Sequence, residues 1–95
     1  VPYMYETLGR TPPPHQSFDP RYHNCSGKHA GFLAWCQLNG APIDTYVEPD
    51  HPLQRRIREE VGGLLGLDPD AMAVGIDGCS APNLALPLDG LARLW

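Results

Sequence analysis

A chain of 95 residues has room for one domain and one modest core. Seven basic residues against eleven acidic ones, a formal charge of −4, exclude a phosphate-binding surface for nucleic acid, because that needs clustered Lys and Arg. No apolar run approaches the roughly 18 residues of a membrane span, and no signal peptide is visible.

The first 22 residues are rich in proline and aromatics around Pro12-Pro13-Pro14. They read as an extended, loop-rich N-terminal arm. From Gly27 to Leu38 the residues Ala30, Phe32, Leu33, Ala34, Trp35 and Leu38 suit a largely buried helix. Ser26 is its candidate N-cap and Asn39-Gly40 its stop. A second helix opens at His51-Pro52 with Asp50 as candidate cap. Leu53, Ile57, Val61, Leu64 and Leu65 give it an apolar stripe, and Arg55, Arg56, Arg58, Glu59 and Glu60 a solvated face. Gly62-Gly63 weakens its last turn. Leu67 to Asp70 is a turn. Ala71–Ile76 reads as a short buried strand, and Pro87-Leu88-Asp89 starts a last helix. The expected class is α+β: two main helices, a short strand and the long arm. The chain starts at Val1 and stops at Trp95 inside an amphipathic pattern. The expectation is therefore one partial domain over 1–95, an internal fragment of a larger protein.

Two clusters carry the chemistry. Asn24-Cys25-Ser26-Gly27-Lys28-His29-Ala30 gathers a thiol, a hydroxyl, an amine and an imidazole where a helix begins. A thiol at a helix N-terminus beside an amine is favoured as thiolate, the form that attacks and binds metal. The spacing of Cys25 and Lys28 matches that of S-x-x-K nucleophile pairs, an analogy of spacing only. The second cluster, Gly75-Ile76-Asp77-Gly78-Cys79-Ser80-Ala81-Pro82, adds a carboxylate and another thiol. Cys25, Lys28 and Cys79, with Asp77, His23 and His29 nearby, offer enough donors for zinc. The paired C-x-x-C knuckle is absent, and neutralising a lysine at pH 7 costs roughly 4–5 kcal/mol. The alternative is a structural cysteine beside a surface lysine. Cys36 falls in the apolar face of the first helix and reads as core. His15 and His51 carry no specific signal. Gly27-Lys28 is not a phosphate loop, because the upstream glycine and the following Ser or Thr are missing. An odd count of three cysteines suits a reducing compartment, and hence the cytoplasm.

The run His23 to Gly31, then Tyr46, Pro49-Asp50-His51-Pro52 and Gln54, then Gly75 to Cys79 with Pro82 and Ala85-Leu86-Pro87-Leu88, resembles the asparaginase II family. These are the inducible, Rhizobium-type bacterial L-asparaginases, and the likeness runs from about His23 to the end. The resemblance implies an amidohydrolase (EC 3.5.1 type) that converts L-asparagine to L-aspartate and ammonia. It also implies a fold like serine β-lactamases and glutaminases, and a homodimer for the full-length protein. It assigns the zinc site to Cys25, Lys28 and Cys79, and supporting catalytic roles to Asp77 and His29. The family's serine–lysine nucleophile motif falls upstream of the matched stretch and a further catalytic lysine downstream. Lys28 is the only lysine here, so this chain by itself is expected to be inactive. Where the family has a doubled Asn before the cysteine, this sequence has His23-Asn24.

Two other readings compete. One is a small zinc-binding structural module without catalysis. The other is a thiol amidase with Cys25 as nucleophile and His29 as base.

Overall fold

Pro52 fixes the backbone angle that a first helical turn requires and lacks the amide that such a turn leaves unbonded. It accordingly opens a helix over Pro52–Leu65 in the computed structural model, which describes residues 6–11 and 19–95. The expectations for Pro12-Pro13-Pro14 and His15 fall outside the described residues. In chain order the elements are a 3-10 turn (Pro20–Tyr22), α1 (Ser26–Asn39), α2 (Pro52–Leu65), a 3-10 turn (Pro69–Ala71), β1 (Val74–Ile76), β2 (Pro82–Leu84) and α3 (Leu88–Arg93). The architecture is α+β. Packing divides the chain into one unit that ends at Gly31 and another that starts at Phe32, so only the N-terminal end of α1 belongs to the former.

Both long helices stop as their glycines dictate. Gly40 (φ 65°) and Gly66 (φ 68°) adopt the left-handed conformation. Beyond them, Ala41 donates to the Cys36 carbonyl at 2.9 Å and Leu67 to that of Gly62 at 3.0 Å. Each is the six-residue closure of a Schellman motif, which satisfies carbonyls the helix would otherwise orphan. Gly62-Gly63 falls in the last turn of α2, whose last helical residue is Leu65.

The cap of α2 differs from the expectation. His51, not Asp50, takes the position: its Nδ1 accepts the Leu53 amide at 3.1 Å, and its Nε2 lies 2.9 Å from the Pro42 carbonyl. Only the tautomer protonated on Nε2 makes both bonds. His51 is 5% exposed and Leu53 is buried, so the Leu53 amide would be stranded without it. His51→Ala should therefore cost about 2 kcal/mol, chiefly the lost cap on a buried amide, because Pro42 is exposed and water can take over its carbonyl. His51→Asn, which keeps an acceptor at the cap, should recover about 1 kcal/mol of that in urea titrations.

The core of the second unit is small: Cys36, Leu53, Leu65 and Ala81 are its buried apolar side chains. Cys36 is packed inside as the sequence pattern implied. Phe32 meets Tyr46 edge-on at 6.3 Å between ring centroids. Gln54 is buried because its Nε2 donates to the Tyr46 carbonyl at 2.8 Å. The buried arc of α2 runs through Leu53, Gln54, Gly62 and Leu65. Leu64 lies at its edge and is 73% exposed, against the expectation. The opposite face is solvated, with Arg56 paired to Glu59 at 3.8 Å and to Glu60.

The predicted buried strand also changes. Only Val74–Ile76 is extended, and all three residues are exposed. They pair antiparallel with β2, Val74 opposite Leu84 and Ile76 opposite Pro82. Two strands alone shield neither face. Pro82 hides β2 in the sequence, although a first strand residue tolerates proline because it need not donate to the ladder.

Candidate functional site

The first cluster is built as a series of turns. Pro20–Tyr22 starts at Asp19, whose Oδ1 accepts the Arg21 amide at 2.9 Å. The Arg21 guanidinium on the same carboxylate holds Asp19 below the usual aspartate range, and Arg21 is raised in turn. The Ser26 hydroxyl donates to the Arg21 carbonyl at 2.9 Å. It therefore does not cap α1, as the sequence had suggested. That position belongs to Cys25, whose carbonyl accepts the His29 amide at 3.1 Å, the first bond of the helix. The Cys25 amide donates to His23 Nδ1 at 3.1 Å.

Cys25, Lys28 and His29 thus stand on the first turn of α1. Cys25 and His29 are half-buried and Lys28 is exposed. His29 Nε2 is withdrawn from solvent. The helix dipole makes this end favourable to anions and thiolate, and unfavourable to an ammonium.

The second cluster is the tip of the β1–β2 hairpin, which the sequence pattern did not show as one. Ser80 donates to the Asp77 carbonyl at 2.9 Å, and Asp77 to the Ala81 carbonyl at 2.9 Å. Ser80 sits at φ 68°. This is a tight turn followed by one left-handed residue, a common hairpin closure. It seats Asp77 and Cys79 together. Asp77 Oδ1 accepts the Gly78 amide at 2.6 Å, and the Cys79 thiol donates to Asp77 Oδ2 at 3.6 Å. A carboxylate beside a sulfur is a mixed oxygen–sulfur donor pair, which zinc accepts.

Sequence reasoning counted His23 among the nearby metal donors. The geometry commits its Nδ1 to the Cys25 amide instead. The signal was available: an acceptor two residues before an amide at a helix start is the pattern of an Asx turn, here made by histidine. Cys25, Cys36 and Cys79 form no disulfide.

A family model described as L-asparaginase II matches residues 3–95. No curated protein sequence matches the chain.

Proposed function

Because the chain belongs to the L-asparaginase II family, we propose that it forms part of an amidohydrolase that converts L-asparagine to L-aspartate and ammonia. Its two loops contribute the metal and substrate site. The family match over residues 3–95 carries this reading. The local geometry supports it, because both matched loops are tightly bonded turns that present reactive side chains, rather than solvated linkers.

Cys25, Lys28 and Cys79 are the zinc ligands in this proposal. The donor set fits: two thiols that no disulfide has consumed, and an amine at a helix N-terminus where a cation is disfavoured. A bound zinc ion supplies Lewis acidity. The chain's own groups do the rest. Asp77 holds the Cys79 thiol and offers a carboxylate to the substrate ammonium. His29, on the first turn of α1, orients the amide. Three thiols without a disulfide suit a reducing compartment, and we place the protein in the cytoplasm on that ground. No helix among the described residues is long and apolar enough to cross a membrane.

Elemental analysis of the purified protein tests the metal site. About one zinc per chain is expected, falling below about a tenth in Cys25→Ser and in Cys79→Ser, since each removes a thiolate ligand. Zinc retained by both variants would overturn the ligand assignment. Lys28→Met separates the amine's role: affinity that in wild type falls steeply from pH 8 to pH 6 should lose part of that dependence, because one fewer ligand competes with protons.

One observation favours a second reading for this chain taken alone. Lys28 is its only lysine, and the zinc assignment above leaves no second amine to serve a serine nucleophile. On that reading this chain is a metal-binding module without catalysis of its own.

A further inference from the structure

We propose that His23 is a positioning residue that fixes the Cys25 backbone for metal binding; this rests on the zinc reading above. Cys25 is held at both backbone groups. Its amide donates to His23 Nδ1 at 3.1 Å, and its carbonyl accepts the His29 amide at 3.1 Å. With both fixed, the torsion that carries the sulfur is the main freedom left to this residue. A ligand delivered with one torsion to choose is close to preorganised, and groups that orient metal ligands weigh on affinity nearly as much as the ligands do.

His23 is itself anchored. Its amide donates to the Pro20 carbonyl at 3.0 Å, and its carbonyl accepts the Ser26 amide at 3.0 Å. The ring closes a small loop inside this frame, from side chain to the amide two residues on. The chain uses the same device a second time. His51 Nδ1 accepts the Leu53 amide at the same 3.1 Å, and there it caps a helix from a buried position. Two occurrences at two helix starts mark a local motif, in which an imidazole does what an Asx carbonyl or carboxylate does elsewhere.

The acceptor, not the imidazole, is the working part. Asn offers its Oδ1 to the same amide, while Ala offers nothing. With Nδ1 occupied, His23 is not a ligand through that atom. Its effect on metal passes through Cys25.

The test compares wild type with His23→Asn and His23→Ala, each stripped of metal and titrated with zinc against a chromophoric chelator. His23→Ala should bind about tenfold more weakly, and His23→Asn within about twofold of wild type. Hydrogen exchange at the Cys25 amide in the metal-free proteins gives the second measurement. That amide should be protected in wild type and His23→Asn, and should exchange about tenfold faster in His23→Ala, as expected for loss of one hydrogen bond. Far-UV circular dichroism identifies an Ala variant that has simply unfolded, and the Asn variant then decides by its affinity and exchange. Equal zinc affinity in wild type and the Ala variant overturns the inference. So does an Asn variant as weak as Ala, which would make the ring rather than its acceptor the active element. Absence of zinc from wild type would instead end the reading under the preceding heading, and the exchange comparison would still decide whether His23 holds the loop.

Discussion

The 95-residue chain by itself is expected to release ammonia from L-asparagine no faster than buffer, and at least about 10⁴-fold slower than a full-length family member. That factor is typical of removing the nucleophile and base from an acyl-transfer site. Amide hydrolysis requires an activated nucleophile, a proton carrier for the departing ammonia and donors for the oxyanion. In the proposed reading the two clusters supply orientation and metal ligands. That reading gives Lys28 to the metal and so leaves no amine to serve a hydroxyl nucleophile. Lys28 is the only lysine. The Ser26 hydroxyl is engaged as a donor to the Arg21 carbonyl at 2.9 Å, and Ser80 is held at φ 68° to close a hairpin. Ammonia release by the isolated chain and by a full-length protein containing it is the assay. Comparable turnover would show that the machinery is complete here. Stoichiometric alkylation of Cys25 by iodoacetamide, abolishing activity in metal-free protein, would then assign the nucleophile to that thiol.

What the sequence revealed and what it hid divide along physical lines. The stop of α1 was legible because only glycine accepts the left-handed turn at low cost, and Gly40 takes it; Gly66, which closes α2 in the same way, was not singled out. The placement of Cys36 in the core was legible from its position among apolar neighbours. Caps were less legible. Ser26 and Asp50 have the preferred chemistry, but Cys25 and His51 hold the positions. Which of two adjacent residues takes a cap depends on the turn before it, and here the Ser26 hydroxyl is drawn back to the Arg21 carbonyl, a bond that cap preference does not encode. The hairpin was missed for another reason. Its second strand begins with Pro82, which reads as a break, and its first has Gly75 in the middle. The reactive residues at its tip were found by type, not by the strand pairing that holds them. Asp77 was singled out from the sequence, but its grip on Cys79 comes from the closure around Ser80.

The two adjacent glycines of α2 should respond to alanine with opposite signs. Gly62 and Gly63 lie in the same helical turn, and alanine would favour the helix at either by up to about 1 kcal/mol. At Gly63 nothing lies within 4 Å of the position a Cβ would take, and the site is exposed. Gly63→Ala should therefore stabilise by about 0.5–1 kcal/mol. Gly62 is buried under the segment that follows the helix. A Cβ there would meet the Leu67 carbonyl oxygen at 2.7 Å, Pro69 Cγ at 3.0 Å and Met72 Cε at 3.1 Å. The Met72 side chain can turn aside. The Leu67 carbonyl cannot move alone, because the Leu67 amide donates to the Gly62 carbonyl in the closure that ends the helix. Relieving the overlap means stretching that bond and lifting the turn at Pro69–Ala71 from α2. Overpacking of this kind costs about 1–3 kcal/mol, more where backbone must shift, and the loss of the cap adds to it. Gly62→Ala should therefore destabilise by about 3 kcal/mol net, a fall of roughly 10–20 °C in Tm for a domain of this size. Urea and thermal unfolding of the two variants beside wild type give the comparison. Stabilisation by both substitutions would mean that the Leu67–Met72 segment does not lie against α2.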